Sequence, residues 1–125
     1  MNRVVVIDDE ELVAESCAMM LRAAGFEVAT AHDGESGLAL IRELLPAAVV
    51  SDIRMPGLMG DELAALLKAQ PATQHIPVLL MSAHGSAAGL QCDGFLSKPF
   101  LRPDLIEAVK RLATRGGGET TKSSG

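Results

Sequence analysis

The chain has 125 residues, enough for one domain with a substantial core. Hydrophobic residues make up 48%, with no Trp, no Tyr and three Phe, so the core must be aliphatic. The formal net charge of −5 argues against nucleic acid as a direct partner, because phosphate binding needs clustered Lys and Arg. The two cysteines, Cys17 and Cys92, show neither metal nor redox spacing, so no disulfide framework is expected and a reducing compartment fits. There is no signal-peptide pattern and no apolar run long enough to span a bilayer, so the expected setting is cytoplasmic, away from membranes.

In chain order, strand and helix signals alternate five times, the pattern of an α/β fold with a parallel sheet. The first strand is predicted at about Arg3–Asp8. A helix follows over about Glu10–Ala24, with Val13, Cys17, Met20, Leu21 and Ala24 on one face and Gly25 as its stop. Cys17 reads there as a small core hydrophobe. A short strand around Phe26–Thr30 leads to a second helix over about Glu35–Leu45, with Leu38, Ile41 and Leu45 on one side and Pro46 beyond it. The third strand is Ala48–Asp52. A loop with Pro56, Gly57 and Gly60 enters a third helix, about Asp61–Ala69, with Leu63, Leu66 and Leu67 inward.

The fourth strand is Val78–Ser82 and the short fifth is Gly94–Ser97; the segment between them, around Gly85–Cys92, holds at most a short helix. A last helix follows Pro99, with Pro103 in its first turn and Leu105, Ala108, Val109 and Leu112 as the buried stripe. Residues 1–115 read as the domain. Residues 116–125 are rich in Gly, Ser and Thr and read as a disordered tail or linker.

Parallel strands place all their C-terminal ends on one side, where open α/β sheets do their chemistry. The residues at those ends are Asp8 and Asp9, Asp52, Ser82 and Lys98. Three acids that close together repel unless a cation intervenes. With no His or Cys to complete a zinc shell, three oxygens suit Mg²⁺ or Mn²⁺. Such a cation attracts a phosphoryl group, Lys98 adds a point charge, Ser82 a hydrogen bond, and a carboxylate beside the metal can attack phosphorus. Each residue also has a bland reading. Asp8 or Asp9 could cap the first helix, Asp52 could start a turn, Ser82 could cap the next segment, and Lys98 could be a surface amine. Turn chemistry alone does not account for all four strand ends together.

The segments Val6-Ile7-Asp8-Asp9-Glu10, Asp52-Ile53-Arg54-Met55-Pro56-Gly57 with Gly60, Met81-Ser82-Ala83 and Lys98-Pro99-Phe100 stand in order at those strand ends. Over about residues 3–114 the chain resembles the receiver domain of two-component response regulators. The resemblance implies a three-layer αβα, flavodoxin-like (CheY-like) fold with a five-stranded parallel sheet of order 2-1-3-4-5. It also implies that Asp52 accepts a phosphoryl group from a sensor histidine kinase or histidine phosphotransfer protein. Asp8, Asp9, Asp52 and the backbone carbonyl of Arg54 would hold Mg²⁺, with Asp9 the more direct ligand of the first pair. Ser82 would contact the phosphoryl group and Lys98 would pair with it. The Lys98–Pro99 bond would be cis, Phe95 would be the switch aromatic that follows Ser82 inward, and Arg54 and His84 would tune phosphoryl lifetime. Phe95 as plain core packing, and Arg54 and His84 as solvated side chains, are the competing readings; His32 and His75 read as surface residues.

The chain departs from the family pattern between Ser82 and Lys98, where relatives fit a full fourth helix. Ala83-His84-Gly85-Ser86-Ala87-Ala88-Gly89-Leu90-Gln91 is short and carries two glycines, each costing about 1 kcal/mol of helix stability relative to Ala. A shortened or irregular fourth helix is expected, which leaves the usual output and dimer surface, and hence the oligomeric state and downstream effector, open. Three other readings are weighed against the receiver. A pseudo-receiver would keep the fold as an interaction module without being phosphorylated; the complete set Asp8, Asp9, Asp52, Ser82 and Lys98 opposes it. A metal-dependent phosphatase of the haloacid-dehalogenase type needs a second Asp two residues after its nucleophile, and neither Asp8 nor Asp52 has one there. A flavodoxin-like cofactor protein would want a Ser/Thr/Gly loop where this chain has Asp-Asp-Glu-Glu-Leu.

Overall fold

A computed structural model of the chain describes residues 2–83 and 89–117. Its elements in chain order are β1 (Arg3–Ile7), α1 (Glu11–Ala23), β2 (Glu27–Ala31), α2 (Gly34–Leu44), β3 (Ala48–Asp52), α3 (Gly60–Lys68), β4 (Val78–Ser82), β5 (Gly94–Ser97) and α4 (Arg102–Gly117). All strand pairs are parallel, in the order β2-β1-β3-β4-β5, which is the expected fold. The shortened fourth helix expected within residues 83–91, with the dimer-surface question attached to it, rests largely on residues outside those described. The last helix runs to Gly117, past the boundary expected at 115, and the remainder of the expected tail, 118–125, also lies outside the described residues.

Strand alternation sorts the core into two halves. Val4, Val6, Ala48, Val50, Leu79 and Met81 face α1 and α4; Val5, Ile7, Val49, Val78 and Leu80 face α2 and α3. The central strands β3 and β4 are buried along their whole length, whereas β2 and β5 at the sheet edges are only half-buried. The two strands that end in acid, β1 and β3, are hydrogen-bonded neighbours in the sheet interior. Covering both faces with helices desolvates Asp8 and Asp52, which sets up the chemistry below.

Local chemistry sets the helix starts. The Asp33 carboxylate accepts from the Ser36 N–H at 2.7 Å and caps α2, and its carboxyl is held below the usual range by that bond. The Glu62 carboxylate accepts from the Met59 N–H at 2.9 Å and closes the first turn of α3.

Three helix faces differ from expectation. Leu66, expected inward, is 40% exposed, while Gly60, Leu63, Ala64 and Leu67 are buried. At 100° per residue, Ala64 and Leu66 flank the Leu63–Leu67 stripe, and the small Ala64 takes the side that faces the sheet. Leu45, expected on the buried side of α2, is 53% exposed because the chain leaves the helix there in a left-handed turn with φ of 47°. The inward face of α1 is likewise rotated: Ala14, Cys17, Ala18 and Leu21 are buried, and Val13, Met20 and Ala24 pack at its margin.

Candidate functional site

Parity in the sheet builds the site. Asp8 continues the side-chain set of Val4 and Val6, Asp52 that of Ala48 and Val50, and Lys98 that of Gly94 and Leu96, so all three emerge on the α1/α4 side. The ladder extends past the strands to hold them. The Asp8 N–H donates to the Ala31 carbonyl at 3.1 Å, and the Lys98 N–H to the Ser82 carbonyl at 2.8 Å. The Lys98–Pro99 peptide bond is cis.

One carboxylate oxygen from each of Asp8, Asp9 and Asp52 lies within 4.8 Å of the other two. Asp8 is fully buried, Asp52 is 9% exposed and Asp9 is exposed. The Lys98 ammonium donates to Asp8 Oδ2 at 3.0 Å and sits 3.6 Å from Asp52 Oδ2, bridging two of the three acids. Asp8 Oδ1 accepts from the Glu10 N–H at 2.9 Å, and Asp52 Oδ1 from the Ile53 N–H at 3.0 Å. Neither Asp8 nor Asp9 caps α1, whose N-cap is Glu10 without a side-chain hydrogen bond.

Burial raises the Asp52 carboxyl above its usual range, and the charges of Asp8 and Asp9 add to this; the Lys98 ammonium and the Ile53 N–H act the other way. For Lys98, burial favours the neutral amine, but the hydrogen bond and charge of Asp8, with those of Asp52, outweigh it and raise the pKa. Cys17 lies under the site in α1, its thiol pushed up to about 11 by burial and by the charge of Asp8. It is a core residue, not a nucleophile.

Three carboxylates and one ammonium leave a surplus of two negative charges. The donors are hard oxygens without imidazole or thiolate, a set that fits Mg²⁺ or Mn²⁺. Beside Asp9 a shallow open hollow, lined also by Arg54, Met55, Pro56 and Met59, gives access from solvent.

The loop after Asp52 is tightly specified. The Gly60 N–H donates to the Ile53 carbonyl at 2.8 Å. A Cβ at Gly60 would run into the Asp52 carbonyl and lie 3.0 Å from the Ile53 Cα, so only glycine lets α3 start this close to the end of β3.

The remaining predicted site residues fall as follows. Ser82 is buried at the end of β4, with its Cα opposite Ser97. Phe95 pairs with Leu80, two residues below Ser82, and shares the α2/α3 face with both; its ring is half-buried against that half of the core. Arg54 is exposed at the mouth. His84 lies outside the described residues. His32 is exposed, as expected, and also has neighbours the motif pattern does not indicate: its Nδ1 lies 3.3 Å from the Asp8 carbonyl oxygen and its Nε2 3.9 Å from a Glu11 carboxylate oxygen. Its place directly after a strand that ends at the acidic edge was the available signal.

Comparison with known proteins agrees with this geometry. The model of the family described as response regulator receiver domain matches residues 4–110. The chain is 41% identical to the transcriptional regulatory protein PrrA of Mycobacterium tuberculosis, an alignment that covers 98% of this chain and 54% of that protein. It is 32% identical to the phosphate regulon transcriptional regulatory protein PhoB of Rhizobium meliloti, covering 94% of this chain and again 54% of the relative. The chain thus spans about half the length of the curated relatives it matches. Among solved structures, the chemotaxis response regulator CheY4 of Vibrio cholerae superposes with a TM-score of 0.82 at 28% identity, over 90% of this chain and 98% of that one. With matched family, sheet order and clustered acids in agreement, the chain belongs to the response regulator receiver domain family.

Proposed function

We propose that Asp52 accepts a phosphoryl group from the phosphohistidine of a sensor histidine kinase or a histidine phosphotransfer protein, and that the phosphorylated domain then acts on a downstream effector. One observation carries this reading: three carboxylates meet on adjacent central strands with a single ammonium bridging two of them. Asp8, Asp9, Asp52 and the Arg54 carbonyl would hold Mg²⁺, or Mn²⁺ in its place, which supplies charge neutralisation for the phosphoryl oxygens.

An Asp52 carboxylate oxygen attacks phosphorus. The new O–P bond forms as the P–N bond breaks, and the imidazole leaves with that electron pair. Lys98, held between Asp8 and Asp52, is within reach of the phosphoryl oxygens that gather on Asp52. Ser82 donates a hydrogen bond to one of them. Phe95, on the same sheet face as Ser82, responds by repacking, which biases a two-state element. Arg54 and His84 set access of water to the acyl phosphate.

On this reading the domain catalyses only its own phosphotransfer and dephosphorylation. Its acidic charge fits a protein effector more than direct nucleic-acid contact, in a cytoplasmic setting. Among the described residues no helix is long and apolar enough to cross a membrane.

The test is incubation with Mg²⁺ and acetyl phosphate followed by intact mass. A gain of one phosphoryl group that vanishes in Asp52→Asn is expected. No gain under any condition would identify a pseudo-receiver, and sustained turnover of a phosphate ester would identify a phosphatase.

A further inference from the structure

The stretch from the end of β2 into the first turn of α2 contributes no ligand to the acidic cluster, yet it touches both loops that carry the proposed ligands. On one side, the His32 ring reaches the Asp8 carbonyl oxygen, in the turn that carries Asp8 and Asp9. On the other, Gly34 lies against Leu58, in the loop that carries the Arg54 carbonyl. A Cβ at Gly34 would collide with the Leu58 carbonyl oxygen and lie 2.9 Å from its carbonyl carbon and 2.7 Å from its Cβ. These are main-chain and near-main-chain atoms, which cannot swing aside as the end of a side chain does. The next residue, Glu35, brings both carboxylate oxygens to 3.1 Å from where a Cβ of Gly57 would stand. The segment is itself held by Asp33, which accepts from the Ser36 N–H at 2.7 Å and the Ser36 hydroxyl at 3.1 Å.

We propose that the His32–Glu35 turn is the positioning element of the metal site, setting the distance between its two ligand-bearing loops, with Gly34 as the decisive contact. The inference rests on the phosphoacceptor reading above. The loop from Ile53 to Gly60 is hydrogen-bonded at its two ends, where the Ile53 N–H donates to the Met81 carbonyl and the Gly60 N–H to the Ile53 carbonyl. Its middle is held by packing, with Met55 buried and Leu58 set on Gly34. A methyl group at position 34 has to push the loop outward, and the Arg54 carbonyl moves with it. Supporting residues behind metal ligands affect affinity in this way without touching the ion.

The experiment uses Gly34→Ala, Asp33→Ala and Asp33→Asn in the 125-residue chain, read by calorimetric Mg²⁺ titration and by amide hydrogen exchange of residues 53–60 in metal-free protein. Gly34→Ala is expected to weaken Mg²⁺ roughly tenfold and to speed exchange in 53–60. Asp33→Ala, which removes the cap without adding atoms, shifts both readouts the same way by less. Asp33→Asn, which keeps a capping side chain but not the charge, restores them. The proposal is overturned if Gly34→Ala binds Mg²⁺ and exchanges like the parent, or if Asp33→Ala and Asp33→Asn behave alike. If Gly34→Ala does not fold, the Asp33 pair decides. A parent chain that binds no Mg²⁺ would instead defeat the phosphoacceptor reading.

Discussion

The two edges of the sheet each carry a lysine paired with aspartate, and they are built to different ends. At the edge where β4 and β5 begin, the Lys68 ammonium donates to Asp93 Oδ2 at 2.8 Å and to the Ile76 carbonyl at 2.9 Å. The same Asp93 oxygen accepts from the Val78 N–H at 2.7 Å. One charge of each sign is present and both are satisfied, which ties the end of α3 to the starts of two strands. At the opposite edge Lys98 faces Asp8 and Asp52, with Asp9 beside them. There the charges do not balance, and burial disfavours the ionised form of Asp52 further. A pair that serves packing is neutral and closed. The acidic edge keeps a surplus that a divalent cation can cancel.

The largest effect is expected for Lys98→Ala. It strips the fully buried Asp8 of its cation and should cost roughly 3 kcal/mol of stability, measured by urea unfolding without divalent ions. Much of that loss should return with Mg²⁺. Lys68→Ala should cost less, about 2 kcal/mol, because both partners are more than a fifth exposed, and Mg²⁺ should not repair it. Equal Mg²⁺ rescue of the two variants would remove the distinction between the edges.

A smaller effect is expected at Thr73, whose buried hydroxyl donates to the Leu67 carbonyl at 2.8 Å in the turn after α3. Thr73→Val should cost about 1 kcal/mol and leave phosphoryl uptake from acetyl phosphate unchanged.

The pH dependence sharpens the contrast further. The Asp52 carboxyl is raised in the folded state, so its ionised form opposes folding above that pKa and the penalty is relieved as pH falls through it. Asp52→Asn should therefore raise the melting temperature of the metal-free protein at neutral pH, and the gain should shrink on acidification. Mg²⁺ affinity should fall over the same acidic window, as protons compete for Asp52. Lys98 has the opposite sense: its pKa is raised, so its contribution is complete below the ordinary lysine range and is lost as pH rises through the folded value.

The strands that position the site were legible from sequence. Ala48–Asp52, Val78–Ser82 and the half-buried edge strand Gly94–Ser97 all have the predicted bounds; for the first two the reason is that buried parallel strands read as continuous apolar runs that stop at a polar residue. Parallel strand direction puts Asp8, Asp9, Asp52 and Lys98 at one end of the sheet, but that β1 and β3 are neighbours comes from the family resemblance and is what the sheet order shows.

Leu66 and Leu45 show where the pattern fails. A short helix defines only a narrow stripe, alanine can fill its border, and a left-handed cap turns the last leucine out. The contacts of His32 with Asp8, Gly34 with Leu58 and Lys68 with Asp93 were not legible. Each joins segments about 24 residues apart through loop geometry, which neither hydrophobic period nor motif spacing encodes.

On the proposed reading the acidic edge is a divalent-cation and phosphoryl site. Thermal unfolding at constant ionic strength, with Mg²⁺ against Na⁺, tests it most directly in the parent chain and in Asp52→Asn. A cation bound only by the folded state stabilises by about 2.7 kcal/mol at a hundred times its dissociation constant. The expected result is a Mg²⁺-dependent rise in melting temperature for the parent chain, much reduced in Asp52→Asn. Equal melting temperatures in Mg²⁺ and Na⁺ for the parent chain would contradict the account.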